Sequence, residues 1–211
     1  MDTFNIQSLP KEAIFSLLLQ IEPKEIKTVC KSRNKKVREI CNSKYFQEAY
    51  NQKYREVSFY YRNDLTEEDF KSLTGYYSVN LSHTNVIDDW LKYLSGVSNI
   101  DLSHTNVSDV GMKYLSQAKK ISLNHTKVTD EALKNFKNVY HIDLHLTRIT
   151  DEGMKYLSQA KIIDLNDTKI TNKGIKKLKN VSTIYLYGTT VTKDGMDYLR
   201  SIGTKNIYYY D

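Results

Sequence analysis

An aliphatic residue recurs at intervals of 21 positions through most of this chain, and this period constrains the fold more than any other feature. The recurring residues are Val79, Ile100, Ile121, Ile142, Ile163 and Ile184, with looser copies at Val57 and Ile207. The copies follow the pattern I-x-L-x-x-T-x-V-T-D-x-G-M-x-x-L. A unit of this length cannot bury its apolar face alone, so successive copies must stack on one another. The period therefore predicts a solenoid.

The spacing of apolar residues within one unit predicts a short strand followed by a short helix. Ile100 and Leu102 are two positions apart, so their side chains lie on the same side of an extended segment. Met112 and Leu115 are three apart, which is the spacing of one helical face. A hydroxyl residue stands at the expected N-cap of this helix in five copies, namely Ser108, Thr129, Thr150, Thr171 and Thr192.

A second threonine column precedes the inward-facing valine or isoleucine of each unit, at positions 84, 105, 126, 147, 168 and 189. Because a buried hydroxyl needs a partner, we expect each of them to hydrogen-bond the backbone of the next coil. The complete pattern resembles the leucine-rich repeat family, in which this position usually holds Asn or Cys. The resemblance covers residues 57–211 and implies an α/β solenoid of about seven repeats, with a parallel sheet on its concave face and short helices on its convex face.

The repeated segment LSHTN contains the residue types of hydrolytic and metal sites, but it occurs as copies of one unit. A catalytic triad needs three different residues that converge once, with the nucleophile oriented towards a base. His83, His104 and His125 form a column in the repeat register, yet the neighbouring Ser and Asn side chains are poor metal ligands. We therefore expect a polar ladder, no enzymatic activity, and neither a metal nor a cofactor.

The strand residues that point away from the core are predicted to form a surface that binds a protein partner. Carboxylates and histidines occupy the central copies and tyrosines occupy the C-terminal ones, and exposed aromatic residues are frequent anchors at protein interfaces. The predicted partner-binding residues are Asp101, His104, His125, Asp143, His145, Asp164, Tyr185, Tyr187 and Tyr208. The alternative is that tyrosine is simply abundant in this chain, which contains 17.

The segment NIYYYD is predicted to hold the last strand of the sheet, and it contains Tyr208, Tyr209 and Tyr210. An edge strand offers unpaired backbone groups to another chain. We therefore expect a partner or a second copy of the protein to associate with this edge.

Residues 1–56 lack the repeat and are predicted to form a separate domain of short helices. From Leu9 to Ile26 the order of residues resembles the opening of the F-box family, with Leu-Pro-x-Glu, an apolar helix and a second proline. Helices of that family dock on a Skp-type adaptor of a cullin-RING ubiquitin ligase, and an adjoining repeat domain captures the substrate. The residues in docking positions are Leu9, Pro10, Ile14, Leu17, Leu18, Ile21, Ile26 and Val29.

The resemblance implies a substrate-recognition subunit in which Tyr45 or Phe46 takes the place of the family's tryptophan. Low proline and high Lys, Asn, Ile and Tyr content is similar to the versions encoded by giant DNA viruses of amoebae. In the alternative interpretation, the helices only cap the first coil and the protein is a plain interaction scaffold.

Composition predicts the compartment and excludes some partners. The net charge is +6, but the basic stretch Lys31–Arg38 has no interleaved aromatic residues, so nucleic acid is not an expected partner. Cys30 and Cys41 are predicted to be two reduced core residues of an intracellular protein. No apolar run approaches the ~18 residues that span a membrane. We therefore expect a cytoplasmic location, or the host cytoplasm or nucleus if the protein is viral.

Overall fold

The chain divides into two compact units, Met1–Arg55 and Glu56–Asp211, which we call the helical unit and the repeat unit. The computed structural model describes residues 9–21, 23–31 and 34–209. The described part of the helical unit contains helices α1 (Lys11–Leu18), α2 (Pro23–Cys30), α3 (Lys35–Asn42) and α4 (Lys44–Lys53).

The helices begin where polar side chains satisfy their first backbone N–H groups. Asn34 Oδ1 accepts a hydrogen bond from the backbone N–H of Val37 at 3.2 Å, and Ser43 Oγ accepts one from Phe46 at 3.2 Å. Val37 and Phe46 are buried, as is Ile14 of α1. The apolar stripes of short helices thus supply the core of this unit, since isolated helices of this length are marginal in water.

A disulfide joins Cys30, at the end of α2, to Cys41 in α3. The expectation of two reduced cysteines is therefore wrong. Their separation of eleven residues equals about three turns of a continuous helix, but they lie in two separate helices. Their Cα atoms are 5.7 Å apart, a distance that a disulfide bridges.

The repeat unit is built on a parallel sheet of eight three-residue strands, arranged in the order of the chain. The strands are β1 (Glu56–Ser58), β2 (Ser78–Asn80), β3 (Asn99–Asp101), β4 (Lys120–Ser122), β5 (His141–Asp143), β6 (Ile162–Asp164), β7 (Thr183–Tyr185) and β8 (Asn206–Tyr208). Between them lie α5 (Glu67–Lys71), α6 (Asp109–Met112), α7 (Asp130–Leu133), α8 (Asn172–Ile175), α9 (Lys193–Ser201) and 3₁₀ helices at Asp88–Leu94, Lys113–Leu115 and Gly153–Leu157.

The 21-residue period is confirmed by the register of the sheet. Ile100 lies opposite Ile121, which lies opposite Ile142 on the next strand, so the recurring aliphatic residue is the central residue of each strand. The central residues of β2 to β7 are buried, and so is the leucine two positions later in each of these coils, whereas Val57 of β1 and Ile207 of β8 are half-buried. The result is one continuous apolar core along the solenoid, between the sheet and the short helices.

An aspartate in each coil binds the next coil through two hydrogen bonds. Asp130 Oδ1 accepts from the backbone N–H of Thr150 at 2.9 Å, and Asp130 Oδ2 accepts from the hydroxyl of Thr150 at 2.5 Å. The same pair of bonds links the residues 88 and 108, 109 and 129, and 151 and 171. Asn172 replaces the aspartate in the last pair and bonds Thr192 with its amide oxygen and nitrogen. The predicted N-cap residues are thereby fixed to the preceding coil.

The buried threonine column bonds its own coil rather than the next one. The Thr105 hydroxyl donates to the carbonyl oxygen of Leu102 at 2.6 Å, and the Thr126 hydroxyl donates to Leu123 at 2.6 Å. The expected bond to the next coil is therefore wrong. The chain bends sharply after each strand, and this bend brings the carbonyl three residues earlier within reach of the hydroxyl.

Candidate functional site

The side chains that follow the central residue of each strand form a row on the concave face, which we call the outward row. It consists of Asn80, Asp101, Ser122, Asp143, Asp164, Tyr185 and Tyr208, on β2 to β8 in that order. Because successive strand residues point to opposite sides, burial of the central residue directs its neighbours towards solvent. Five of the nine predicted partner-binding residues lie in this row.

A chain of hydrogen bonds orients the carboxylates of the outward row. Ser103 and Ser122 bring their hydroxyl oxygens to 2.7 Å, and the Ser122 hydroxyl donates to Asp143 Oδ2 at 2.9 Å. Asp143 Oδ1 accepts from the backbone N–H of His145 at 3.0 Å. Ser122 was not among the predicted site residues, and its place in the row opposite Asp143 is the signal that could have identified it.

Asp143 and Asp164 occupy facing positions on the paired strands β5 and β6. Partial burial raises the pKa of the Asp164 carboxyl above its ordinary value, and the nearby Asp143 charge adds to this rise, although the N–H of Asn166 opposes it. Within residues 34–209, neither carboxylate forms an ion pair with Lys or Arg. The centre of the concave face therefore concentrates negative charge in a chain whose net charge is positive.

A shallow cavity of about 350 Å³ lies on the concave face beside these carboxylates. Asp101, Ser122, Asp143 and His141 contribute to its lining. Burial lowers the pKa of His141, which favours its neutral form. The cavity thus presents carboxylate and hydroxyl acceptors together with a neutral imidazole and the Lys120 side chain.

The aromatic end of the outward row consists of a stacked tyrosine pair. The rings of Tyr185 and Tyr208 lie 4.6 Å apart with planes inclined by 9°. Tyr208 is 41% exposed and belongs to the edge strand β8. Tyr187 lies two positions after Tyr185 and is half-buried. Of the predicted edge tyrosines, Tyr210 lies outside the described residues.

The histidine column occupies a left-handed turn that follows each strand, and the sequence did not predict this backbone conformation. The residues at this turn have φ between 52° and 66° and are Tyr61, His83, His104, His125, Leu146, Asp167 and Gly188. Their column contains aspartate and glycine, residue types that adopt left-handed φ more readily than most, and this was the available signal. His145 precedes the turn and approaches Asp167 with its Nε2 at 3.0 Å from Oδ2.

The rings of this turn contact one another along the column, and the first two contacts are parallel stacks. The ring centroids of Tyr61 and His83 lie 4.3 Å apart, those of His83 and His104 4.2 Å apart, and those of His104 and His125 4.7 Å apart. The predicted column of three histidines is therefore confirmed. Within the described chain, no group of three or more His, Cys, Asp or Glu side chains is placed to hold a metal ion.

The residues predicted to dock on an adaptor differ in their exposure. Ile14, Leu18 and Ile26 are buried. Leu9, Ile21 and Val29 are half-buried, Pro10 is exposed, and Leu17 is 45% exposed. Tyr45 is 73% exposed and stacks on Phe15 of α1 at 5.2 Å, whereas Phe46 is buried. Leu17 and Tyr45 are therefore accessible to a partner, and Phe15 is partly accessible. Ile14, Leu18 and Ile26 instead pack in the core of the helical unit.

No helix among the residues described here is long and apolar enough to cross a lipid bilayer. In the basic stretch Lys31–Arg38, residues 32 and 33 lie outside the described part of the chain.

Comparison with known proteins supports the repeat architecture. A family model described as a leucine-rich repeat matches residues 99–116. An internalin of Listeria monocytogenes (inlF) is similar in structure, with a TM-score of 0.61 and 16% sequence identity over 80% of this chain. The present chain spans about half of that protein, covering 51% of its length. A search of curated proteins found no match.

A second internalin of the same organism, internalin C2, gives a TM-score of 0.60 at 18% identity. This similarity covers 96% of the present chain and 89% of the internalin chain. Identities this low establish the fold alone. The fold is a leucine-rich repeat solenoid with a parallel sheet of eight strands.

Proposed function

We propose that this protein is a non-enzymatic interaction scaffold that binds a target protein on the concave face of its repeat unit. The observation that carries the proposal is the outward row, in which the carboxylates of Asp143 and Asp164, which pair with no Lys or Arg within residues 34–209, adjoin a stacked tyrosine pair. These side chains stand on a hydrogen-bonded sheet, so a partner would meet them already positioned. Tyrosine supplies a large contact area at low cost in conformational entropy, which suits it to an interface.

The chemistry of the outward row favours a basic target segment. Like charges in facing positions on paired strands destabilise a sheet, and a cation placed between Asp143 and Asp164 would offset that repulsion. Tyr185 follows in the same row, and a guanidinium group stacks well on an aromatic ring. An arginine-containing segment could therefore bond the carboxylates and pack against the tyrosine at the same time.

The test is binding of the purified protein to an array of peptides that differ in net charge. We expect arginine-rich peptides to bind, and we expect both Asp164→Asn and Tyr185→Ala to weaken the binding. Tyr140→Ala is the matched control, because Tyr140 is a 45% exposed tyrosine outside the outward row. The assignment is refuted if the affinity does not depend on peptide charge. It is also refuted if Tyr140→Ala weakens binding as much as Asp164→Asn and Tyr185→Ala do.

We propose further that the helical unit docks on a Skp-type adaptor, which would make the protein an F-box-like substrate-recognition subunit of a cullin-RING ubiquitin ligase. The support is the order of residues from Leu9 to Ile26, together with the exposed apolar side chain of Leu17 and the stacked pair of Phe15 and Tyr45. This role requires a cytoplasmic or nuclear location, and the resemblance to proteins of giant DNA viruses would place it in a host cell.

The second candidate is a plain interaction scaffold without a ligase partner. Two observations favour it. Ile14, Leu18 and Ile26 are buried, so folding of the helical unit alone explains their apolar character. The disulfide between Cys30 and Cys41 is typical of oxidising compartments rather than the reducing cytosol.

A pull-down with a Skp-type adaptor separates the two candidates. Ile14→Glu is unsuitable because its side chain is fully buried, and the variant would unfold the helices. Leu17→Glu removes an exposed docking residue, and Asn51→Glu at an exposed position of α4 is its control. Adaptor binding that Leu17→Glu abolishes and Asn51→Glu preserves would support the F-box-like role. Failure of the parent protein to bind would leave the plain scaffold.

The edge strand β8 supports a proposal of self-association. Its outer side has no neighbouring strand in the described sheet, and Tyr208 on it is 41% exposed. Strand addition by a second copy would satisfy the backbone groups of this edge. Sedimentation at high protein concentration should show a dimer, and a monomer under these conditions would contradict the proposal.

A further inference from the structure

His104 and His125 face each other through the same ring atom. Their Nδ1 atoms lie 3.1 Å apart, with the ring planes inclined by 52°. The other histidine of the stack, His83, packs its ring parallel to that of His104, with the ring centroids 4.2 Å apart. The column therefore contains one convergent pair of imidazole nitrogens and one histidine that only stacks.

The separation of these nitrogens fits two ligands of one metal ion. Zinc–imidazole bonds are about 2.0–2.1 Å long, so two nitrogens on a tetrahedral ion lie about 3.3–3.4 Å apart. The same bond lengths in a square-planar arrangement place adjacent nitrogens about 2.9 Å apart. The observed 3.1 Å lies between these two values, so a small ring rotation is enough to reach either geometry.

We propose that His104 and His125 form a two-ligand site for a transition-metal dication that prefers imidazole, such as Zn²⁺, Ni²⁺ or Cu²⁺. The protein supplies both Nδ1 atoms, and water or a donor from a bound partner completes the coordination. This differs from the polar ladder that the sequence predicts, because the sequence does not show which ring atoms converge. The proposal does not depend on the target-binding role of the outward row.

The backbone holds the two rings in place. His104 and His125 both have left-handed φ, near 55°, and each donates its backbone N–H to the next coil at 2.9 Å. The Thr105 and Thr126 hydroxyls close the two turns that carry them. Preorganised ligands lose little conformational entropy when the ion binds.

The surroundings leave the imidazoles able to bind. Both side chains are exposed, so an ion can reach their Nδ1 atoms from solvent. An open cavity of about 620 Å³ adjoins the pair, with Lys127, Arg148 and Asp167 in its lining. It provides room for the remaining ligands.

Proton balance distinguishes the metal site from a simple hydrogen bond. In the neutral pair, one Nδ1–H donates to the other Nδ1, so one ring carries its proton on Nδ1 and the other on Nε2. When an ion binds both Nδ1 atoms, the first ring moves its proton to Nε2 through solvent. Two neutral imidazoles thus take up the ion without net proton release.

The test is isothermal titration of the full-length protein with Zn²⁺ and with Ni²⁺ in a buffer that does not chelate metals. His104→Asn and His125→Asn each remove one ligand, and asparagine tolerates left-handed φ better than most residues. His83→Asn is the matched control, because it makes the same substitution at the same turn one coil earlier. Circular dichroism melts verify that each variant is folded.

We expect saturable binding of one ion per chain, weakened at least about tenfold by His104→Asn and by His125→Asn and nearly unchanged by His83→Asn. Ring signals of His104 and His125 should also broaden selectively when Ni²⁺ is added in an NMR titration of the parent protein. The absence of saturable binding, or equal weakening by all three substitutions, would overturn the proposal. So would broadening of other histidines in preference to this pair.

Discussion

Removing one aspartate from the contacts between coils should destabilise the repeat unit far more than replacing it with asparagine. Asp130 is the most informative position, because it accepts two hydrogen bonds from Thr150 of the next coil. Asp130→Ala leaves both the backbone N–H and the hydroxyl of Thr150 without this acceptor. Asp130→Asn reproduces an arrangement that already exists in the chain, where Asn172 bonds Thr192 with both atoms of its amide.

The two hydrogen bonds of Asp130 determine how much free energy of unfolding each variant should lose. A hydrogen bond to a charged group contributes about 1.5–3 kcal/mol to stability. Asp130 is half-exposed, so we use the lower end for each of its two bonds, which gives about 3 kcal/mol for Asp130→Ala. The asparagine variant keeps both bonds but loses the charge, and it should cost about 1 kcal/mol or less. In a chain of this length, about 3 kcal/mol lowers the melting temperature by about 6–12 °C.

Urea unfolding followed by circular dichroism measures both variants against the parent protein. The expected order of unfolding midpoints is parent, then Asp130→Asn, then Asp130→Ala. If the free energy of unfolding of Asp130→Ala lies within about 0.5 kcal/mol of the parent value, the contact between coils contributes no more than a typical surface interaction. Equal losses for alanine and asparagine would mean that the charge, rather than the two-bond geometry, stabilises the stack.

Three further outcomes are expected. Desolvation and the adjacent histidines lower the pKa of His104 in the folded protein, so the unfolded chain binds a proton at this residue more readily. The free energy of unfolding should therefore fall as the pH drops below about 6.5, and it should fall less in His104→Asn. Melting curves recorded at several pH values measure both effects. Cys41→Ser should destabilise the helical unit by about 3 kcal/mol, raising amide exchange there while leaving the repeat unit unchanged. Thr126→Val should cost about 1 kcal/mol in urea unfolding, since the Leu123 carbonyl loses its buried donor.

The strands could be predicted from sequence because burial of one residue type at a fixed interval determines their position. Ile100 and Ile121 are 21 positions apart in the chain and lie opposite each other in the sheet. From β2 to β7 every crossover has the same length, which favours this register. The outward row follows from the same alternation, which is why Asp143 and Tyr185 could be placed on one face.

The contacts between coils could not be predicted in the same way. Asp130 and Thr150 are 20 positions apart, and the spacing recurs in the sequence, but it does not reveal the lateral offset between coils. The same offset decides whether the hydroxyl of Thr126 reaches the next coil or its own. Hydrogen-bond partners depend on differences of an ångström, which an apolar period does not specify.

The left-handed turn conformation and the disulfide could not be predicted either, because sequence spacing does not determine local backbone angles or helix packing. Histidine is not a strong indicator of left-handed backbone, although Gly188 in the same column is. The separation of Cys30 from Cys41 is compatible with one helix or with two, and the spacing does not reveal that the packing of α2 against α3 brings the sulfurs together.

The central claim is that the outward row binds the target and that the helical unit, with its own exposed patch, has a separate role. The most direct measurement is the affinity of the best-binding basic peptide for the parent protein, for Asp164→Asn and for Leu17→Glu, by isothermal titration. We expect binding at least about tenfold weaker in Asp164→Asn, which loses one charge-assisted contact, and unchanged binding in Leu17→Glu. Weakening by Leu17→Glu with no effect of Asp164→Asn would contradict it, because the target would then bind the helices rather than the concave sheet.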